Sequence, residues 1–424
     1  MFGAIGACHA SAQRGTPDPA FENVPFDQWL TQEGQTHFHW SVKVAHAELS
    51  FHQRLTSSID IQLDGQDLDS RRHDGELLLL IQITDPEGIR YQEHGSIDLS
   101  KLDVNVKEAN LNYSQSAFFL PGEYQLAVGV LDKKTGDHNT IQSQFHIAPS
   151  PNGFLREAWQ SLPAVEFLGN DVSPQSWYLP YIKGHLQWAS ALHSPAQVNV
   201  IMNVAPSVPV YGSRRAPSSD LPALLPSLKV ITQTGSASIS EHVALLDLSR
   251  RHTVFDQTEV TDLDWHRLKA SLEEANTASI DLHSLSGRQE EAQYFVSEVR
   301  RLLRASTDKP CVLVILTKPV SFDSGEDLEK ISLEALPSCR VIYIRYHPAP
   351  EEMRPMGTRM GGRGGRRSPM NGPMMRPSQE PFDQLAATLK PLSPKVIDVE
   401  SPEQMTKALS EIQKALLKSD ESSR

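Results

Sequence analysis

Cys311 and Cys339 are the pair of residues whose positions suggest a covalent bond. Each stands just before an apolar run that predicts a strand: Val312–Leu316 follows Cys311, and Val341–Ile344 follows Cys339 after one residue. If these strands are parallel neighbours in one sheet, they enter it from the same end. The two Cα atoms would then lie within the roughly 4.4–6.8 Å that a disulfide needs. The alternative is two buried thiols that act as small apolar side chains.

A second stretch with chemical potential runs over residues 348–381 and is rich in Gly, Arg, Met and Pro. Its methionines could bind a soft ion such as Cu(I), and its Gly-Arg run could contact nucleic acid or an acidic partner. The simpler interpretation is a segment that cannot bury enough apolar surface to fold. We therefore expect a disordered insertion that proteases cut first and that folding does not require.

Other signatures of catalysis or metal binding are missing from the sequence. It contains no His-Glu-x-x-His, no Gly-x-Ser-x-Gly, no phosphate loop and no cysteine pair at zinc spacing. The alternating His37 and His39 fit polar positions on a strand better than a ligand pair. We therefore predict no catalytic residues, no cofactor and no bound metal, and we expect the chain not to be an enzyme.

The start of the chain resembles part of an export signal. Small residues lead to the Ala-x-Ala pattern at Ala10–Ala12, which predicts a signal-peptide remnant over 1–12 and a mature protein that begins at Gln13. One alternative is a lipid anchor at Cys8, and another is a cytoplasmic chain without a signal. Cleavage would leave two cysteines, an even count that fits an oxidising compartment. The expected location is the periplasm or the cell exterior.

The charge and the hydropathy pattern disfavour a nucleic-acid partner and a transmembrane segment. The formal net charge is −12 over 424 residues, whereas binding to a phosphate backbone needs clustered Lys and Arg. No apolar run approaches the ~20 residues that span a bilayer. We therefore expect a protein partner, no nucleic acid and no transmembrane segment.

The elements of the first half predict an antiparallel, Ig-like β-sandwich over 21–148. Apolar and polar residues alternate in Tyr124–Val130 and in Ile141–Ile147, on either side of a turn at Asp132–Asp137. The denser apolar run Leu77–Ile83 predicts a central strand. Several short strands without a helical period between them are typical of a sandwich.

Residues 149–195 form a predicted connector that is rich in proline and aromatic residues. Its aromatic side chains are Trp159, Trp177, Tyr178, Tyr181 and Trp188. Such residues could line a ligand site, but more often they fasten a connector to a neighbouring domain.

In residues 196–418, short apolar strands alternate with amphipathic helices. Val198–Met202 and Val243–Leu248 predict buried strands, and Thr253–Phe255 predicts the second arm of a hairpin. The last helix should begin at a capping box, Ser401–Gln404. Apolar strands that alternate with helices imply a parallel sheet covered on both faces.

These elements resemble a known family. Their order and the stretch Asp398–Gln404 resemble a von Willebrand factor A domain. The whole chain resembles the bacterial VWFA-related exported proteins of the acidobacterial type, through Leu49–Leu55, Gly95–Lys101 and Leu120–Tyr124. The resemblance implies a multi-domain β and α/β fold in which a doubly wound parallel sheet follows the sandwich.

The resemblance also implies a divalent-cation site at the carboxyl ends of the strands. In the family, the first loop supplies Asp-x-Ser-x-Ser, and later loops add a Thr and an Asp, because a hard cation needs oxygen ligands. Here Asn203 and Ala205 replace the Asp and the first Ser, and only Ser207 matches. The family's Thr-Asp-Gly becomes Thr-Lys-Pro, and Lys318 brings an ammonium group near the metal position. We expect a degenerate site that binds no cation.

The functional hypothesis is a non-catalytic protein-binding or scaffolding module of the cell envelope, with its partner contacts on the von Willebrand A-like domain. One alternative is an enzyme of unrecognised type that acts on an envelope substrate, which a pocket with converging titratable groups would favour. Another is an assembly factor for an envelope complex, which neighbouring genes for envelope machinery would favour.

Overall fold

The structure is a computed structural model. It describes residues 18–31, 38–71, 75–102, 108–169, 184–188, 196–205, 220–233, 239–260, 262–277, 288–305, 311–320, 339–347 and 383–421. The chain divides into two units, Met1–Ala189 and Ser190–Arg424, so the boundary falls inside the connector predicted at 149–195. The predicted signal remnant, 1–12, and the predicted insertion, 348–381, lie outside the described residues.

The first unit contains two antiparallel sheets. In spatial order, one sheet consists of β1 (Trp40–Val44), β3 (Leu55–Leu63), β6 (Leu111–Phe119) and β9 (Val165–Phe167), with β2 (Glu48–Leu49) paired to β3. The other consists of β5 (Arg90–Asp98), β4 (Glu76–Thr84), β7 (Gly122–Asp132) and β8 (His138–Ile147). A short helix, α3 (Gly65–Ser70), lies between β3 and β4 in the chain. The unit is β-sandwich-like, as the alternating sequence predicts.

The central strand β4 is buried on both faces, which explains its dense apolar sequence. Leu77, Leu79 and Ile81 have no exposed surface, while Leu78 and Leu80 point to the opposite face and belong to a separate apolar cluster. Strands β5 and β7 pair with β4 on either side. The prediction of a central strand at this apolar run is confirmed.

Two short helices at the start of the described chain cover this outer face of β4. They are α1 (Pro19–Glu22) and α2 (Phe26–Trp29), and they pack through Phe21, Phe26 and Trp29. Gly129 of β7 makes room for them, because a Cβ there would lie 2.7 Å from a ring carbon of Phe26. The sequence predicts only strands over 21–148, so these helices were not expected. Helices of four residues are too short to show a helical period.

The turn between β7 and β8 is fixed by Asp132. Its carboxylate accepts hydrogen bonds from the backbone N–H of Lys134 at 2.9 Å and from the guanidinium of Arg71 at 3.0 Å. Burial acts to raise the pKa of Asp132, but these hydrogen bonds outweigh it and hold the pKa below its usual value. The same guanidinium also binds Asp137, so it ties both ends of the turn to the segment after α3.

The segment after β8 belongs to the sandwich. It forms α4 (Gly153–Ala158), and β9 then pairs with β6. The indole N–H of Trp159 donates to the carbonyl of Gln53 at 2.8 Å, and the Trp188 ring lies 4.7 Å from the Phe154 ring. Two of the predicted connector's aromatic residues therefore pack within the first unit. The other three, Trp177, Tyr178 and Tyr181, lie outside the described residues.

The second unit is built on one six-stranded sheet. Its spatial order is β12 (His252–Thr258), β11 (Ile239–Asp247), β10 (Ala196–Asn203), β13 (Cys311–Thr317), β14 (Cys339–Tyr346) and β15 (Lys395–Val399). Strand β12 forms a hairpin with β11 and is antiparallel to it, and the other pairs are parallel. Strand β13 lies at the centre and is buried along its whole length, as expected for a strand covered on both faces.

The part of this unit that the structure describes includes five helices beside the sheet: α5 (Leu221–Thr232), α6 (Trp265–Thr277), α7 (Arg288–Ala305), α8 (Gln384–Leu389) and α9 (Pro402–Glu421). Helices α7 and α8 share one apolar cluster with Ile201, Leu313 and Tyr343. Helix α9 contacts β13, β14 and β15. It begins where the sequence predicts, since the Ser401 hydroxyl accepts the backbone N–H of Gln404 at 3.4 Å. In the described part of the chain, no helix is long and apolar enough to cross a membrane.

Candidate functional site at the carboxyl edge of the second sheet

The parallel strands of the second unit end at one edge, where polar residues replace the apolar interior. The register places Met202 opposite Leu316, so Asn203 and Thr317 come next on the same level. Thr317 pairs with Arg345, and Arg345 pairs with Asp398. Because paired residues of parallel strands point to the same face, these side chains form one row across the edge.

Asn203 is held by its own loop. Its side-chain oxygen accepts the backbone N–H of Ala205 at 3.1 Å and that of Leu248 at 3.5 Å. The side chain therefore closes the turn after β10 and ties it to the end of β11. An amide oxygen with two N–H donors has both lone pairs in use. Ala205 adds no ligand atom, and Ser207 lies outside the described residues.

Lys318 brings a positive charge to this edge. Its ammonium group contacts the carboxylate of Asp220, the residue before α5, and the two side chains are only 17% and 8% exposed. Burial lowers the pKa of Lys318 to about 8. The adjacent carboxylate acts in the opposite direction, so we expect the pair to remain charged at neutral pH. A protein ammonium group thus lies at the level where the resemblance places an acidic metal ligand.

A second charged group joins β14, β15 and the start of α8. Asp383 accepts hydrogen bonds from the Tyr343 hydroxyl at 3.1 Å and from the Arg345 guanidinium at 3.3 Å. Arg345 also donates to Asp398 at 2.5 Å, and His347 lies 2.8 Å from the same carboxylate. The guanidinium of Arg345 holds the pKa of Asp398 below its usual value. The network fixes the first turn of α8 against the end of β14.

The acidic groups at this edge therefore have cationic partners. Asp220 contacts Lys318, and Asp383 and Asp398 both contact Arg345. Within the described residues of this unit, no three metal-ligating side chains converge within 4.8 Å. The arrangement offers fixed charges for contacts with another molecule.

Asp220 and Asp383 are not among the site residues predicted from the sequence, although each carries a local signal. Each residue directly precedes a helix, and an Asp in that position is a common N-cap. The cation that each carboxylate contacts is distant in sequence, so the ion pairs with Lys318 and Arg345 could not be predicted from a local pattern.

The two cysteines lie at the opposite edge of the sheet. Cys311 and Cys339 begin β13 and β14 in register, their Cα atoms are 4.6 Å apart, and the structure joins them in a disulfide. Their place at the start of adjacent parallel strands matches the geometry that the sequence predicts. The bond is remote from Asn203 and Lys318 along the strands, so its role is to tie two strands together.

Comparisons with known proteins give no family assignment. No protein-family model matches the chain, and no curated protein matches it. The structural-genomics target SoR45 is 15% identical over 27% of this chain and 88% of its own, with a TM-score of 0.19. The putative ApaA protein from Bordetella pertussis is 11% identical over 27% of this chain and 97% of its own, with a TM-score of 0.18. The PilB minor pilin from Streptococcus sanguinis is 8% identical over 82% of this chain and 88% of its own, with a TM-score of 0.28. At these TM-scores, none of the three supports an argument about this chain.

Proposed function

We propose that the second unit is a von Willebrand A-like domain that acts as a non-catalytic protein-binding or scaffolding module in the cell envelope. Its partner contacts lie at the carboxyl edge and use no metal bridge. The strand order, with a single antiparallel strand at one end of a parallel sheet, supports the resemblance. The observation that carries the proposal is the contact between Lys318 and Asp220 at that edge.

The Lys318 ammonium can partly replace a bound cation as the positive charge that attracts a carboxylate of the partner. In the family that the chain resembles, the metal ion completes its shell with a carboxylate of the partner. An ammonium group also attracts a carboxylate, but it carries one charge and is shared here with Asp220. We therefore expect an acidic contact residue on the partner. Association with the partner should slow and weaken with added salt, because dissolved ions screen the long-range attraction between the two proteins as they approach.

An extracytoplasmic location is part of the proposal. Disulfides form and persist in oxidising compartments and are rare in the cytosol of most organisms. The disulfide between Cys311 and Cys339 supports export to the periplasm or the cell exterior.

The test is an affinity capture from envelope extracts with the tagged full-length chain, in Mg²⁺ and in EDTA. We expect the same captured protein in both conditions, less of it with Lys318→Gln, and an unchanged amount with Lys418→Gln. Lys418 is a matched control, since it is exposed near the far end of α9. Loss of the captured protein in EDTA would show a metal bridge and contradict the proposal. Equal capture by Lys318→Gln and the wild type would place the contact elsewhere.

A further inference from the structure

Three metal-ligating side chains converge in the first unit. Asp18 precedes α1, whereas Glu93 and His94 are neighbours on β5, and one ligand atom from each lies within 4.8 Å of the other two. One of these contacts joins the Nδ1 atom of His94 to the Oδ2 atom of Asp18 at 2.7 Å, across 76 positions of sequence. Because the ligands are so far apart in the chain, no spacing motif in the sequence reveals the group.

The free edge of the second sheet of the sandwich makes this convergence possible. Successive side chains on a strand point to opposite faces, so Glu93 and His94 would normally diverge. Strand β5 is an edge strand, and the Glu93 carboxylate folds back around that edge to accept the backbone N–H of His94 at 3.1 Å. The Glu93 carboxylate therefore comes to the same side as the imidazole.

The third ligand is oriented by a helix start. The Oδ1 atom of Asp18 accepts the backbone N–H of Ala20 at 2.8 Å as the cap of α1, which leaves Oδ2 facing His94. The packing of Phe21 and Phe26 on the outer face of β4 keeps this helix start beside the sheet. Two backbone N–H groups thus position the two carboxylates before any ligand binds.

The donor set fits a borderline divalent metal ion. One imidazole nitrogen and two carboxylate oxygens are ligands for Zn²⁺, with bonds of ~2.0–2.2 Å and a tetrahedral arrangement in which ligand atoms lie about 3.4 Å apart. The ligand atoms here lie 2.7 Å apart between His94 and Asp18 and at most 4.8 Å apart for any pair, so they reach that geometry through shifts of about 1 Å. Among the described residues, no Lys or Arg forms a salt bridge with either carboxylate, and His94 alone pairs with Asp18.

We propose that Asp18, Glu93 and His94 form a binding site for a divalent transition metal ion of the Zn²⁺ class. The ion would fasten the N-terminal helices α1 and α2 to the edge strand β5. Three protein ligands leave a fourth position for water or for a donor atom from another molecule. The site belongs to the first unit, so it does not depend on the function proposed for the carboxyl edge of the second unit. Each proposal can fail without the other.

The test is calorimetric titration of the metal-stripped full-length chain with Zn²⁺. We expect His94→Gln and Glu93→Gln each to remove one equivalent of Zn²⁺ or to weaken its binding by at least about tenfold. The matched control is His146→Gln. His146 also pairs with a carboxylate, that of Glu123 at 2.7 Å, but no third metal-ligating side chain of the described residues converges with this pair. We expect this control to bind Zn²⁺ like the wild type, and other histidines contribute equally to every variant.

Two results would overturn the site. One is wild-type stoichiometry and affinity in both His94→Gln and Glu93→Gln, and the other is an equal loss in His94→Gln and His146→Gln, which would indicate adventitious binding to surface histidines. Asp18→Asn is a further variant that keeps the cap of α1 and removes the charge. Hydrogen exchange over residues 18–31 gives a second measurement: Zn²⁺ should slow exchange in the wild type and leave it unchanged in His94→Gln.

Discussion

The Asn203 to Ser207 loop should bind none of Mg²⁺, Mn²⁺ and Ca²⁺, and electrostatics gives the size of the effect. One unit charge against another at ~4 Å and an effective dielectric near 20 costs about 4 kcal/mol, and a divalent ion doubles that cost. The Lys318 ammonium is only 17% exposed, so solvent screens it weakly. The carboxylate of Asp220 offsets part of the repulsion. With half of it cancelled, about 4 kcal/mol remains, or roughly a thousandfold in affinity.

The available ligand atoms also disfavour cation binding at this loop. A hard cation gains most from anionic oxygen, whereas the side-chain oxygen of Asn203 is neutral and already accepts two backbone N–H groups. Binding would require the loss of both hydrogen bonds. We therefore expect no gain from ligand binding to offset the repulsion from Lys318 that Asp220 leaves in the wild-type protein.

Calorimetry of the full-length chain with each ion tests this expectation, and the comparison of wild type with Ser207→Ala assigns any heat to the loop. The two titrations should be indistinguishable. A double variant, Asn203→Asp with Lys318→Asp, serves as the positive control because it supplies two anionic ligands and removes the ammonium group. Micromolar binding by the wild type that disappears in Ser207→Ala would refute the reasoning.

Three further predictions concern stability. Reducing the Cys311–Cys339 disulfide, which closes a loop with a separation of 28 residues, should lower the free energy of unfolding by about 3–4 kcal/mol in urea titrations; two free thiols in natively exported protein would contradict the bond. Phe26→Ala should lower the free energy of unfolding by about 3–5 kcal/mol, because the ring is 4% exposed. Gln28→Ala, on the exposed side of α2, should change that free energy little. The pKa of Asp132 lies below its usual 3.8 in the folded state. The ionised carboxylate therefore stabilises the fold fully above about pH 3.8, and this stabilisation is lost as the pH falls through the lower pKa of the folded state. Acid unfolding of Asp132→Asn should therefore depend less steeply on pH below 4, and an unchanged slope would count against this role.

Much of the fold was predictable because its patterns are local. The alternation in Tyr124–Val130 and Ile141–Ile147 predicted β7 and β8, and the dense apolar run Leu77–Ile83 predicted the central strand β4. These patterns depend on which face of a strand is buried, and burial acts on every second residue. The alternation of strands and helices in the second half likewise indicated parallel strands with helices between them.

The remaining features depend on contacts that are distant in sequence. Strand β9 is three residues long and becomes a strand only by pairing with β6. The helices α1 and α2 are held by packing on β4 rather than by helix propensity. The contact of Lys318 with Asp220 joins residues that three strands and three helices separate in the chain, from α5 to β13. No window of sequence contains both members of such a pair, so the sequence indicated a charge at the edge but not its partner.

Acidic residues before helices show how one side chain can serve the fold and a site together. At Asp18 and Asp383, one carboxylate oxygen caps a helix while the other meets a charged or polar partner, His94 in one case and Tyr343 with Arg345 in the other. A cap needs only an oxygen acceptor, which Asn supplies as well as Asp. Replacement by Asn therefore removes the charge and keeps the cap. If such a variant at either position folds normally but loses metal binding or the ion pair, the carboxylate is present for its charge, because helix capping alone does not require it.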